Sequence, residues 1–269
     1  MVIYKVIKIE PIKMLGRHQY FKFKNLFLNI FGFFCILVII FSAVFVFLNA
    51  ESLKEKSDWL REVFIKNYYI KNIFNLHDVG NAKYFLLSPS GAKEINVDLY
   101  SSEFGDPVPE TKEFLEDIFK KYCGSEKKIN INSKKIYLGK SWQMIDDKEL
   151  DALSDIHIHP KNNSKSASIS IVYLSEYGPN KNRIGLATND LSVVIFKDAI
   201  QKLSDRKSVL EKIERATLLH EIGHLWGLEH NDNSQSVMSD IFECPAFALP
   251  NQIVADFNAK DIFELNKIK

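Results

Sequence analysis

Cysteine is scarce in this chain, three among 269 residues, which excludes a small scaffold held together by a framework of disulfides. An excess of charge of either sign is lacking too, since 35 basic and 34 acidic residues nearly cancel. Beyond residue 50 there are 29 basic against 33 acidic residues. The basic surface that binding to a phosphate backbone requires is therefore missing, and nucleic acid is excluded as an expected partner. The chain has no internal repeat and no low-complexity tract, which excludes solenoids and compositional linkers. No tyrosine follows Tyr177, and only one long apolar run is present.

That run covers residues 26–48, 23 positions without a charge inside the uncharged interval from Lys24 to Glu51. It is long enough to cross the hydrocarbon core as a helix. Lys5, Lys8, Lys13, Arg17, Lys22 and Lys24 precede it and favour a cytoplasmic N-terminus, a bias kept modest by Lys54, Lys56, Arg61 and Lys66 beyond it. The organisation expected is a basic cytoplasmic segment at 1–25, a transmembrane signal anchor at 26–48, a stalk at 51–90 with a helix over 53–74, and an extracytoplasmic domain at 91–269. The alternative is a cleaved signal peptide, with Leu48-Asn49-Ala50 as the processing site and a secreted product. The anchor is the preferred reading, and translation from Met14 would shorten the leader and narrow that preference.

Within the outer domain, Ser166 to Leu174 alternates apolar and polar residues and reads as a strand. Leu191 to Phe196, rich in β-branched and aromatic side chains, reads as a buried one. Weaker strands are expected over 94–100 and 134–138, with a helix over 109–122 that stops near Gly124. Ser208-Val209-Leu210-Glu211 has the form of a capping box opening a helix. Leu210, Ile213, Thr217, Leu218, Ile222 and Leu225 then recur at steps of mostly three and four, a stripe that can pack on a sheet. Strands, a helix, more strands and a further helix give an α+β domain.

The last of these helices carries the chemistry. It reads His220-Glu221-Ile222-Gly223-His224-Leu225-Trp226-Gly227-Leu228-Glu229-His230. His220 and His224, four residues apart on a helix, share a face about one turn from each other and can bind one tetrahedral ion. Glu221 sits beside it. Gly227 can adopt positive φ without steric cost, so the chain can leave the helix sharply and return His230 as a third ligand. Three neutral nitrogen donors leave a fourth position open, the pattern of a catalytic zinc site. The five-residue core alone arises by chance in roughly one chain per hundred of this length, and the added glycine and histidine lower that about a thousandfold.

The extended motif resembles that of the metzincin clan of zinc metallopeptidases, and its wording is most similar to matrixin-like members. Ser236-Val237-Met238-Ser239 looks like the clan's Met-turn, with Met238 as an apolar floor beneath the ligands. The stretch from Phe257 to Leu265 resembles the final helix of matrixin-like domains, with Asn258 as N-cap and Asp261 in the first turn. Asn231, the residue after the third histidine, matches none of the large subfamilies. The resemblance implies a twisted mixed sheet packed on helices, the motif helix at the cleft, and a small irregular C-terminal subdomain ending in a helix. It implies one catalytic Zn2+ on His220, His224 and His230, Glu221 as general base, and a peptide or protein substrate. Gly185-Leu186-Ala187-Thr188 is the segment expected along the cleft, in competition with an ordinary connection into the following strand. Ile241, Phe242, Phe247 and Leu249 are expected to wall an apolar substrate pocket.

Several other features remain open. Asp155-Ile156-His157-Ile158-His159 can hold a second metal if it is a strand, although Pro160 and the polar residues after it favour a surface loop. Asn231-Asp232-Asn233-Ser234 can bind Ca2+ or form only the turn after His230. Cys123 and Cys244 can pair in an oxidising compartment. Cys123 can instead mimic the latency cysteine of matrixins, but Tyr122-Cys123-Gly124-Ser125 lacks the rest of that motif. A stalk of about 40 residues is too short for a folded inhibitory prodomain. A non-catalytic zinc-containing adhesion module stays as the competing class. An intramembrane protease is disfavoured, because the motif follows the charged residues Lys207 to Arg215 and no second apolar run exists.

Overall fold

The structure, a computed structural model, describes residues 78–150, 165–239 and 253–268, with helical positions at 37, 38, 40–42 and 66. The chain divides into two units, Met1–Arg61 and Glu62–Lys269. In the first, Val38, Ile40 and Phe41 are helical and exposed. No helix among the described residues is long and apolar enough to cross a membrane. Most of the expected 26–48 span, and the expected 53–74 helix apart from Lys66, lie outside those residues.

In the second unit the elements run α1 (Lys83–Leu87), β1 (Glu94–Ser101), α2 (Thr111–Cys123), β2 (Lys128–Lys135), a 3-10 turn (Lys140–Trp142), β3 (Met144–Ile145), β4 (Ser166–Leu174), β5 (Glu176–Tyr177), β6 (Gly185–Asn189), β7 (Ser192–Phe196), α3 (Lys197–Gln201), α4 (Lys207–Leu225) and α5 (Ala259–Asn266). Five strands form one sheet in the order β2-β1-β4-β7-β6, and β3 pairs with β5 in a separate two-stranded sheet. β2, β1, β4 and β7 are parallel, while β6 lies antiparallel on β7 at the edge. The sheet is therefore mixed but mostly parallel, and the class is mixed α/β rather than the expected α+β. The reason is β2, which returns through α2 to lie beside β1 in the same direction, a connection that needs a crossover element.

The strand pattern decides what each face meets. Ile95, Val97 and Leu99 of β1, Ala167, Ile169, Ile171 and Tyr173 of β4, and Val193 and Ile195 of β7 share the main core with α2 and α4. The alternate residues Val172, Leu174, Val194 and Phe196 point to the other face and pack with Ile145, Leu150, Tyr177 and Ala199. Burying alternate residues of each strand on opposite faces follows from the two-residue period of the pleat. Ala82 and Phe85 to Leu87 also lie in the main core, so the core takes in residues ahead of position 91.

Two further expectations shift. Of the expected 134–138 strand only Lys134 and Lys135 fall in a strand, the end of β2 at Lys128–Lys135, which is held by side-chain ladders such as Asn130 Nδ2 to Asn96 Oδ1 at 2.8 Å and Lys134 Nζ to Asp98 Oδ2 at 2.7 Å. Its polar sequence carries little apolar periodicity, so pairing with β1 determines its extent. The capping box at Ser208 does not form. α4 begins at Lys207 with Arg206 in the extended cap position and no side-chain cap. Ser208 already lies in the first turn, where its backbone cannot take the cap conformation. In α5 the expected cap is present: Asn258 accepts from Lys260 and Asp261 amides while Asp261 accepts from the Asn258 amide, a reciprocal box.

Candidate active site

α4 carries His220, Glu221 and His224 out of the core toward the edge strand β6. The helix ends in a Schellman arrangement: Gly227 N–H donates to His224 C=O at 2.9 Å and Leu228 N–H to Gly223 C=O at 2.9 Å. Gly227 holds φ at +77°, a conformation that costs a side chain but not glycine. The turn returns His230 to the other two histidines. The three Nε2 atoms lie 3.1 Å (His224 to His220), 3.1 Å (His224 to His230) and 3.2 Å (His230 to His220) apart. Among the described residues, this is the group of three His, Cys, Asp or Glu side chains close enough to hold one ion.

The other ring nitrogens are already committed. His220 Nδ1 donates to Val237 C=O at 2.7 Å and His224 Nδ1 to Leu228 C=O at 2.9 Å. These bonds place the protons on Nδ1 and turn the Nε2 lone pairs toward one point, the orientation that metal-ligating histidines need. Burial, then the neighbouring His220, lowers the His224 pKa to about 4, so its lone pair stays available at neutral pH. Zinc binds imidazole nitrogen at about 2.0–2.1 Å, and nitrogens roughly 3 Å apart can all reach one ion at that length. The donor set fits zinc in number, type and tautomer.

Glu221 is 7 % exposed, and burial raises its carboxyl pKa to about 7 against the opposing pull of the Ala187 amide and the Arg183 charge. Ala187 N–H donates to Oε2 at 2.8 Å. Oε1 has no donor among the described residues. β6 reaches this close because Gly185 has no side chain: a Cβ there would stand 2.6 Å from Thr217 Cγ2 and 2.8 Å from Glu221 Oε1. Gly185, Leu186 and Ala187, placed along the cleft by the sequence, line the same cavity of about 400 Å3 as His220, Glu221, His224 and His230.

Beneath the triad Met238 is fully buried. A Cβ on Gly223 would stand 2.5 Å from Met238 Sδ, so the glycine inside the helix is the space the thioether occupies. The sequence reading missed this residue, although a glycine in a helix interior costs about 1 kcal/mol against alanine and so signals a close approach. It also missed Trp226, fully buried at the end of α4. That ring meets Phe119 edge-on with centroids 5.6 Å apart, Tyr122 at 5.5 Å and Phe257 at 6.0 Å. Asp261 does more than cap: it also receives hydrogen bonds from Asn231 and Ser236. No local pattern announces those long-range bonds.

The loop from Asn231 to Ser234 bonds to itself, with Asn231 Oδ1 accepting from Asn233 N–H at 3.0 Å and Asn233 Oδ1 from Gln235 N–H at 2.9 Å. These bonds close a turn after His230. Cys123 is buried at the end of α2. Cys244 lies outside the described residues, as do Asp155 to His159 and the expected pocket residues Ile241, Phe242, Phe247 and Leu249.

A protein family described as zincin-like metallopeptidase matches residues 176–236, the stretch from β5 to the turn before Met238. The match supports zinc-dependent peptidase chemistry in this segment; it does not single out the matrixin-like branch. Among solved structures, the chain is similar to archaemetzincin from Methanopyrus kandleri, at 19% sequence identity and a TM-score of 0.46, over 68% of this chain and 98% of that one. No curated protein matches the chain.

Proposed function

We propose that this chain is a zinc-dependent endopeptidase, anchored in a membrane through residues 26–48, with Glu221 as general base and the domain on the extracytoplasmic side. The observation that carries the reading is the meeting of three Nε2 atoms within 3.2 Å of one another in a cleft that also holds the Glu221 carboxyl. His220, His224 and His230 would hold the metal, and zinc there supplies Lewis acidity, polarising a carbonyl and acidifying water.

The rest of the chemistry falls to the protein. Glu221 Oε2 is held by the Ala187 amide, which leaves Oε1 to take the proton of the attacking water and pass it to the departing amine. Burial that raises the Glu221 pKa to about 7 suits a group that must both accept and return a proton near neutrality. β6 is the last strand of the sheet, and a peptide lying along it as a further strand would be bound mainly through its backbone. The membrane anchor rests on the uncharged run and the basic residues before it.

The test is Glu221→Gln in the zinc-loaded chain. Cleavage of a diverse peptide library is expected to fall at least a hundredfold, with zinc content staying near one per chain. Wild-type protein that carries stoichiometric zinc and cleaves nothing would instead support a non-catalytic adhesion module.

A further inference from the structure

Resting on the peptidase reading, we propose that Arg183 determines specificity by recognising a carboxylate of the substrate beside the histidine triad. Arg183 lines the same cleft as the three histidines and Glu221. Its backbone is fixed on both sides. Arg183 N–H donates to Asn180 C=O at 3.0 Å, and one residue later Ile184 C=O accepts from Phe196 N–H at 3.0 Å as β6 joins β7. Asn180 Oδ1 also accepts from Asn182 N–H at 3.1 Å, so the turn that launches the side chain is braced.

The guanidinium lies over the Tyr177 ring, 5.4 Å from its centroid. That ring is itself locked: its hydroxyl donates to Asp147, and it packs on Phe196 with centroids 5.6 Å apart. Stacking on an aromatic face holds the plane of a guanidinium and leaves its edge N–H groups free to donate. Among the described residues no carboxylate forms an ion pair with Arg183. The Arg183 charge is felt by the Glu221 carboxyl without a direct ion pair, and Asp147 accepts from the Tyr177 hydroxyl.

A partly buried guanidinium over an aromatic ring, with no ion pair among the described residues, gains most from an acceptor that also carries negative charge. The matching group is a carboxylate, which accepts from the two-pronged edge of arginine through both oxygens. A Glu or Asp side chain of the substrate presents that group, and so does a free C-terminus.

The experiment uses the full zinc-loaded chain and two peptide sets on one scaffold. The first exchanges Glu or Asp for Gln or Asn around the cleaved bond; the second exchanges a free C-terminal carboxylate for the carboxamide. In one set the carboxylate member is expected to be cleaved with about tenfold higher kcat/KM, and the set that shows it names the source. Arg183→Met brings that ratio to near one and Arg183→Lys keeps part of it. Binding of the same labelled peptides to zinc-loaded Glu221→Gln, read by fluorescence anisotropy, needs no turnover. It is expected to show the same preference, lost in the Glu221→Gln protein that also carries Arg183→Met. Binding without a carboxylate preference, or a preference that survives Arg183→Met, overturns the proposal. A wild-type chain that cleaves no peptide, while its Glu221→Gln form binds carboxylates through Arg183, overturns the peptidase reading alone.

Discussion

Asn231 Nδ2 donates to Asp261 Oδ1 across 2.9 Å, tying the residue after His230 to the first turn of the final helix. The other Asp261 oxygen accepts from Ser236 Oγ, and Ser236 Oγ accepts from the Met238 amide at 2.9 Å. One carboxylate, only 3 % exposed, thus holds the segment just after the third histidine and the turn around Met238. A buried acid with every partner in place makes those segments rigid, and removing it leaves several donors unsatisfied.

Asp261→Ala is therefore expected to weaken zinc binding by roughly 10–100-fold, the usual effect of losing a group that orients a ligand, and to lower the melting temperature. Chelator competition and a thermal melt read the two effects. Unchanged zinc affinity would show that His230 is positioned without this network.

Gly223→Ala places a methyl group 2.5 Å from Met238 Sδ. Overpacking of this kind costs about 1–3 kcal/mol, measurable by denaturant unfolding. Combined with Met238→Ala the loss is expected to be less than the sum of the single losses, because the cavity and the methyl share one space. Simple additivity would rule out the close approach as the cause.

Trp226→Ala removes the ring that Phe119, Tyr122 and Phe257 enclose. The cavity is expected to cost about 3–5 kcal/mol. Because the ring closes the end of α4, zinc affinity is expected to fall with stability rather than stay constant.

The Glu221 carboxyl makes the metal-free protein sensitive to pH. Its pKa rises from 4.5 to about 7 on folding. Between those values the unfolded chain has released a proton that the folded chain retains, so stability falls as pH rises through this window. The full difference is on the order of 3 kcal/mol. His224, lowered from 6.5 to about 4, acts in the opposite direction, but it does so in wild type and variant alike. Chelator-treated Glu221→Gln is thus expected to exceed wild type in stability at pH 8 and to approach it near pH 4.5. Denaturant melts across that range check this, and a difference independent of pH would contradict it.

Legibility differed from element to element. β4 matches the expected 166–174 span because its apolar alternation is local, and α4 was visible as a stripe of apolar residues. β2 was displaced because its Lys, Asn and Ser residues belong in a sheet only through their partners on β1. The start of α4 was misplaced for a related reason: the spacing of Ser208 and Glu211 fits a cap, but the preceding turn already starts the helix at Lys207.

By itself the sequence determined the donor set: three imidazoles and a carboxylate at helical spacing, with Gly227 to turn the chain back. Helical geometry and the freedom of glycine at positive φ act over ten residues and leave a local record. Only the tertiary structure decided what surrounds that set: Gly185 against Glu221, Met238 against Gly223, Asp261 behind Asn231, and Arg183 on Tyr177. Those contacts join residues distant along the chain or held by separate elements, and their geometry depends on how the sheet and α4 pack rather than on any local periodicity.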